Sequence, residues 1–247
     1  MPHLLEFKQS DPGIGIHVRT QTEGPESTLL NAFVQQYADH LCTLKRHYAL
    51  FYEPLLTTGY PDLVVVSYNP DKYSSWTEAR NELSVLDLKV LHHLYFVGGS
   101  TYSSIERQLG LKGRMLLRVL ERLMDASLVR RSRLQWLPKP LSDSYGISCI
   151  KTIEAKISNW RGVLGQAHLN RWFSSESCVL SPVSKPSEQI ISKAREKGIG
   201  IYSMPSGTQA KMIQKPERLN GLPVSYASWL FNEWIGRQLF RNRRNVL

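Results

Sequence analysis

Cysteine is scarce in this chain, three residues in 247, and Cys42, Cys149 and Cys178 form no Cys-x-x-Cys pair. That argues against a zinc ribbon or a disulfide framework and fits reduced thiols in a cytoplasm, each expected as a small buried apolar residue. No run of about 18 apolar residues occurs, so neither a membrane span nor a membrane partner is expected. The opening residues, Met1-Pro2-His3-Leu4-Leu5-Glu6, lack the basic flank and apolar core of a signal peptide, and a cytoplasmic location is the expectation. There is no Gly-x-Ser-x-Gly elbow and no phosphate loop ending in Gly-Lys-Ser/Thr, which leaves serine hydrolase and nucleotide-driven motor chemistry without support. Gly13-Ile14-Gly15-Ile16 and Gly198-Ile199-Gly200-Ile201 lack the remaining glycine of a dinucleotide fingerprint. His92-His93 has no partner at metal spacing and reads as packing or surface. Acids are outnumbered, 21 against 31 Lys and Arg, giving a net charge of +10 and a pI near 9.6. A polyanionic partner is favoured, nucleic acid ahead of an anionic surface, and an ordinary basic soluble protein is the bland alternative.

What the chain does hold begins with Pro61-Asp62 in front of the apolar run Leu63-Val64-Val65-Val66, and with Thr152-Ile153-Glu154-Ala155-Lys156 near the end of a second apolar segment. Glu154 and Lys156 stand two apart, so on a strand both face the same way. Two adjacent strands bring Asp62, Glu154 and Lys156 to one spot. Two carboxylates beside an ammonium suit Mg²⁺ or Mn²⁺ next to a phosphate, with a lysine to orient or help deprotonate water and offset transition-state charge. The bland reading is a turn-capping Asp62 and a same-face ion pair.

The surrounding pattern orders these residues. Leu29, Leu30, Phe33, Val34, Tyr37, Ala38 and Leu41 recur at helical spacing to about His47, with Ser27 or Thr28 as N-cap, and residues before Glu26 read as irregular apart from a short strand near 14–19. Residues 48–53 and 62–68 suit two strands joined by a turn-rich connection, 146–156 a third, 158–173 a helix carrying Gln166, 177–181 a strand, 187–197 a helix stopped by Gly198, and 199–204 a final strand. Alternating strands and helices with short loops predict an open α/β sheet.

The residues between interrupt that rhythm. Apolar spacing predicts a helix around Leu86 to Leu94, a short one over 100–109 capped by Ser100 or Thr101, a turn at Gly110, and a third over 112–124 with Leu116, Leu117, Leu120 and Leu123 inward. A β-hairpin over 126–136 follows. This layout resembles a winged helix-turn-helix. The resemblance implies that the third helix enters the major groove of duplex DNA with Lys112, Arg114, Arg118, Glu121 and Arg122 exposed, and that Arg130, Arg131 and Arg133 on the hairpin meet phosphates. A solvated amphipathic face and a protein-interaction module are the alternatives.

Together, Asp62, Glu154-Ala155-Lys156 and the helix after them resemble the PD-(D/E)XK, or restriction endonuclease-like, nuclease superfamily over residues 26–66 and 146–204. Members often carry Gln-x-x-x-Tyr on that helix. Gln166 matches, whereas Asn170 stands at the tyrosine position. The resemblance implies an α/β fold with a mixed central sheet flanked by helices, the core being 1–80 and 140–214, a winged-helix insert 81–139 and a basic helical extension 215–247. It implies a Mg²⁺- or Mn²⁺-dependent deoxyribonuclease, an endonuclease hydrolysing phosphodiester bonds. Asp62, Glu154 and the main-chain carbonyl of Ala155 would bind metal, Lys156 position water, Gln166 steady the site, and Glu26 supply the acidic residue of the first helix. In prokaryotes such combinations suit restriction, repair or mobile-element defence, and a homodimer suits cutting two antiparallel strands. The alternative is a non-catalytic DNA-binding regulator on the same fold. In the C-terminal segment, Trp229 and Trp234 are expected in a core, while Arg237, Arg241, Arg243 and Arg244 are read as phosphate-holding or solvated.

Overall fold

The computed structural model describes residues 4–11, 13, 15, 17–20, 23–44, 46–56, 59–219, 221 and 224–244. In chain order the elements begin with β1 (Leu4–Phe7), α1 (Pro25–Thr43), β2 (His47–Tyr52) and β3 (Leu63–Tyr68). Next come α2 (Glu78–Asn81), α3 (Val85–Val97), β4 (Ser100–Thr101), α4 (Tyr102–Leu109), α5 (Gly113–Asp125), β5 (Val129–Ser132), β6 (Gln135–Pro138) and α6 (Leu141–Ser144). The chain continues through β7 (Ile147–Ala155), α7 (Trp160–Leu169), β8 (Glu176–Ser181), α8 (Glu188–Glu196), β9 (Gly200–Ser203), β10 (Lys211–Gln214) and α9 (Tyr226–Arg244). They form two compact units, one of Met1–Ser10, His17–Tyr68 and Ile147–Val224, the other of Asp11–Ile16, Asn69–Gly146 and Ser225–Leu247. Among the described residues no helix is long and apolar enough to cross a membrane.

The first unit is an α/β layer structure on a seven-stranded mixed sheet in the order β1-β2-β3-β7-β8-β9-β10. Strand β3 is antiparallel to both β2 and β7, the pairs β7–β8 and β8–β9 are parallel, β1 joins β2 in parallel and β10 joins β9 antiparallel. All six residues of β3 are buried. Its unbroken Leu-Val-Val-Val run therefore reflects a strand covered on both faces. On one face Leu29, Leu30, Phe33, Val34 and Leu41 of α1 pack against Leu50, Leu63, Val65, Ile153 and Leu180. On the other, Val163, Leu164 and Ala167 of α7 and Ala194 of α8 pack against Val179 and Ile201. Alternation along β8 separates the two clusters, Leu180 to one and Val179 to the other.

Three boundaries differ from expectation. Helix α1 starts before Ser27: Pro25 occupies the first turn, where its missing N–H costs nothing, and Ser27 Oγ accepts from Gly24 N–H at 2.9 Å. It ends at Thr43, because His47 already belongs to β2. Residues 4–7, read as irregular, form an edge strand whose Phe7 stacks on Phe51 at 4.4 Å between centroids. Four residues give too short a pattern to show a period. Within 14–19, positions 14 and 16 lie outside the described residues, and Val18 makes an isolated antiparallel bridge with Pro54.

In the second unit, α3, α4 and α5 precede the β5–β6 hairpin, and β4 adds a third strand in the order β4-β6-β5. Thr101 both pairs with Gln135 and caps α4, its Oγ1 accepting from Ser104 N–H. Gly110 takes φ 66 at the turn. The inner stripe of α5 is Leu116, Val119, Leu120 and Leu123; Leu117, expected inward, is 43% exposed because it lies a quarter-turn off that stripe. Helix α9 belongs to this unit, with Trp229 and Trp234 buried as expected and Phe231 and Ile235 buried beside them. It also buries Glu233, which pairs with Arg80 at 2.7 Å, and Asn232, whose Oδ1 accepts from Tyr73 Oη and Gly146 N–H. Cys42 is exposed, contrary to expectation, Cys149 is half-buried and Cys178 is buried.

Candidate active site

The candidate residues meet where three strands of the first unit end. Tyr52 pairs with Leu63 and Leu63 with Ile153, so one further step of the register sets Glu53, Asp62 and Glu154 in a row. Glu53 N–H donates to the Asp62 carbonyl at 3.2 Å, and Ala155 N–H donates to Asp62 Oδ2 at 2.7 Å. Lys156 lies just past β7, its N–H still bonded to the Leu180 carbonyl. Its Nζ meets Glu26 Oε2, in the first turn of α1, at 2.5 Å. Glu26, Asp62, Glu154, Ala155, Lys156 and Gln166 thus line one cleft of about 500 Å³.

Glu154 is almost entirely buried, and Asn170 Nδ2 donates to its Oε1 at 2.6 Å. Asn170 follows the last turn of α7, four residues after Gln166, so both turn to the same side. The amide occupies the position where the resembling superfamily carries tyrosine, and here it holds a carboxylate oxygen. Spacing alone pointed to the shared face; the identity of the partner needed the fold.

Burial pushes the Asp62 carboxyl up to about 6, against the Ala155 N–H and the Lys156 charge. Burial, followed by the Asp62 charge, pushes Glu154 up to about 8, with the Asn170 hydrogen bond and Lys156 opposing. Burial also raises Glu53, which Arg19 counters at 3.8 Å. For Lys156 burial acts downward, but the Glu26 hydrogen bond and the surrounding carboxylates outweigh it and the net shift is upward. Among the described residues the cleft is lined by the carboxyls of Glu23, Glu26, Glu53, Asp62 and Glu154 against the cations Arg19 and Lys156.

That imbalance fits a divalent cation. One oxygen of each carboxylate is held by an N–H donor, while Asp62 Oδ1 and Glu154 Oε2 have no hydrogen-bond partner among the described residues. Two hard oxygens, with a main-chain carbonyl at Ala155, are a donor set of the kind Mg²⁺ and Mn²⁺ accept when water and phosphate complete the shell. Among the described residues no three His, Cys, Asp or Glu side chains gather as a metal-ligating group, so a cation here would lean on those further ligands.

In the second unit, Lys112, Arg114 and Arg118 are exposed on and before α5, and Arg130, Arg131 and Arg133 are exposed on the hairpin. Arg131 lies over the Trp136 ring at 5.6 Å. Arg122 is placed differently from the other candidates. Its Nη2 reaches Asp87 Oδ1 at 2.6 Å and its Nε sits at 3.0 Å, while Asp87 is wholly buried and caps α3. Its guanidinium is engaged inside the unit. The C-terminal arginines are likewise partnered: Arg237 and Arg241 with Asp11, Arg243 with the Tyr73 and Ser74 carbonyls, and Arg244 with Glu78. No protein family matches the chain, and no curated protein and no solved structure is similar enough to match it.

Proposed function

We propose that the chain is a metal-dependent deoxyribonuclease of the PD-(D/E)XK type, an endonuclease acting on duplex DNA. The observation that carries the reading is the pairing of Asp62 with Glu154 at adjacent strand ends, each with one oxygen tethered and one open, beside the Lys156 ammonium. The mixed sheet, with its antiparallel β2-β3-β7 portion, the β7–α7–β8 crossover and α1 on one face, supports the restriction endonuclease-like reading. Asp62, Glu154 and the Ala155 carbonyl would hold Mg²⁺ or Mn²⁺. When bound, such an ion supplies Lewis acidity and a template for a phosphate oxygen and the attacking water.

The chain's own groups do the rest. The Ala155 N–H and the Asn170 amide fix the two carboxylates, so no reorganisation is needed when phosphate arrives. Lys156, its net shift upward, stays an ammonium; it orients water and offsets charge on phosphorus rather than taking the proton. Glu26 fixes that ammonium from α1. Hydrolysis joins the water oxygen to phosphorus, that water giving up a proton to solvent, and breaks the bond to the leaving sugar oxygen, which takes a proton from solvent.

The order helix, strand, helix, helix, hairpin in the second unit supports a winged helix-turn-helix, with Lys112, Arg114, Arg118, Arg130, Arg131 and Arg133 as its phosphate and groove contacts. A homodimer suits cutting both strands, and the cytoplasm suits the three reduced cysteines. The second reading, a DNA-binding regulator without turnover, draws on Asn170 in place of tyrosine. Supercoiled plasmid with Mg²⁺ or Mn²⁺ separates the two, comparing the natural chain with Glu154→Ala at equal DNA occupancy. Nicking or linearisation that the variant lacks is expected. Equal inactivity of both, with DNA still bound, would replace the nuclease by the regulator.

A further inference from the structure

A second pocket of the first unit lies at the other end of α1. It measures about 280 Å³ and is lined by Arg46, Lys151, Arg218, Tyr37, Tyr48 and Glu176 among others. Cys149 stands near the start of β7, Lys151 at its middle and Glu154 near its end, so about 3.3 Å of strand per residue separates this pocket from the carboxylate cleft, and the two share no lining residue. Lys151 is 19% exposed and meets Glu176 Oε2 at 3.0 Å and Tyr37 Oη at 3.4 Å. Arg46 and Arg218 are exposed, line the same pocket and have no hydrogen bond or ion pair among the described residues. Among the described residues lining the pocket, three cations thus accompany one carboxylate, and His40 lines it too.

The neighbouring pocket, about 570 Å³, shares Tyr37, His40 and Tyr202 with the first and adds Phe33 and Met212. Tyr37 stacks on Phe33 at 5.1 Å and meets Tyr202 edge-on at 6.3 Å. Asp39 is the one acid lining that side.

We infer that this basic pocket binds a phosphoryl group whose attached nucleoside lies against the Tyr37, His40 and Tyr202 side. Guanidinium groups bind phosphate oxygens through paired, charge-assisted hydrogen bonds, and a dianion balances the surplus charge better than a monoanion. Aromatic rings beside such a funnel are the usual platform for a base. This pocket and the adjoining one together leave room for a phosphoryl group and an attached nucleoside. The phosphoryl comes either from a free nucleotide or from a DNA strand. The site does not depend on the nuclease reading, since none of its residues belongs to the carboxylate cleft.

The test is calorimetric titration of the full chain with inorganic phosphate, deoxythymidine 5′-monophosphate and deoxythymidine, and with a short oligothymidylate bearing either a 5′-phosphate or a 5′-hydroxyl. Each is repeated on Arg46→Ala/Arg218→Ala and on Glu154→Ala, without metal. Both arginines are exposed, so the double variant should melt with the natural chain. Phosphate-bearing probes are expected to bind about tenfold or more weaker to the double variant, as the loss of charge-assisted hydrogen bonds implies, and unchanged to Glu154→Ala. Binding of the monophosphate assigns the pocket to nucleotides; preference for the 5′-phosphorylated oligomer alone, lost in the variant, assigns it to strand ends. A loss in the variant that is equal for both oligomers assigns it to backbone phosphate. Equal affinity of the double variant for every probe, or no phosphate-dependent binding at all, would overturn the inference.

Discussion

The carboxyl of Glu154 sits in a strand, almost out of water, beside a second carboxyl and held by a single amide. Folding raises the proton affinity of both Asp62 and Glu154 above their unfolded values of 3.8 and 4.5. Below about pH 3 both states are protonated and nothing is lost. As pH climbs from there through about 6 and then about 8, the unfolded chain ionises freely while the folded one resists, so stability falls. The metal-free chain should therefore melt lower at pH 8 than at pH 5, by about 5 °C or more. Glu154→Gln should flatten that slope, and Mg²⁺ should recover the loss at pH 8; a melting curve indifferent to pH in the natural chain would contradict the coupling. Asn170→Leu removes the one hydrogen bond that favours ionised Glu154. It should cost roughly tenfold or more in cleavage at neutral pH, measured on plasmid at saturating Mg²⁺, with less loss as pH rises. Asn170→Tyr asks whether the superfamily residue substitutes for the amide.

Helix α5 carries basic residues of two kinds, although in sequence they look alike. Arg118 is exposed, while Arg122, one turn on, closes on the buried carboxylate that caps α3. Removing Arg122 leaves the buried Asp87 carboxyl with the Ser84 N–H and hydroxyl but without its cationic partner. Arg122→Ala should destabilise the second unit by about 3 kcal/mol, the low end for breaking a buried pair, because the arginine itself is partly exposed. Arg118→Ala should leave unfolding unchanged and weaken DNA binding uniformly, lowering the slope of log affinity on log salt by about 1. Chemical denaturation and salt-dependent anisotropy on the two variants read these separately. Equal loss of stability in both would mean that Arg118 too is a packing residue. In α9 the arginines divide in the same way: Arg237 is buried beside Asp11, while Arg241 and Arg244, read as phosphate-holding or solvated, stay exposed and pair with Asp11 and Glu78.

For the molecule as a whole, +10 of net charge is a statement about partners and ionic strength, not about fold. If six to ten phosphates are contacted, DNA affinity should drop about 10³- to 10⁵-fold between 50 and 200 mM salt. A shallow dependence would turn attention to protein partners of the second unit. Part of the charge never reaches solvent. Arg80 and Arg237 are buried.

Much of the fold was legible because its signals are local. The apolar run after Asp62, the helical spacing from Leu29 to Leu41 and the glycine at 110 each specify an element from a few neighbouring residues, and strand alternation puts Glu154 and Lys156 on one side. Short elements were not legible: β1 and β4 exist because longer strands offer them an edge to pair with, and four or two residues carry no period of their own. The sequence by itself determined the α/β alternation, the interrupting helical segment and which residue types were available for chemistry. Only tertiary structure decided that Asn170 bonds Glu154, that Glu26 bonds Lys156, that Arg122 turns inward, and that Arg46 and Arg218 share a pocket with Lys151. Those contacts join residues on different elements, up to 172 positions apart for Arg46 and Arg218, and no local pattern encodes which side chain a distant strand or helix will present.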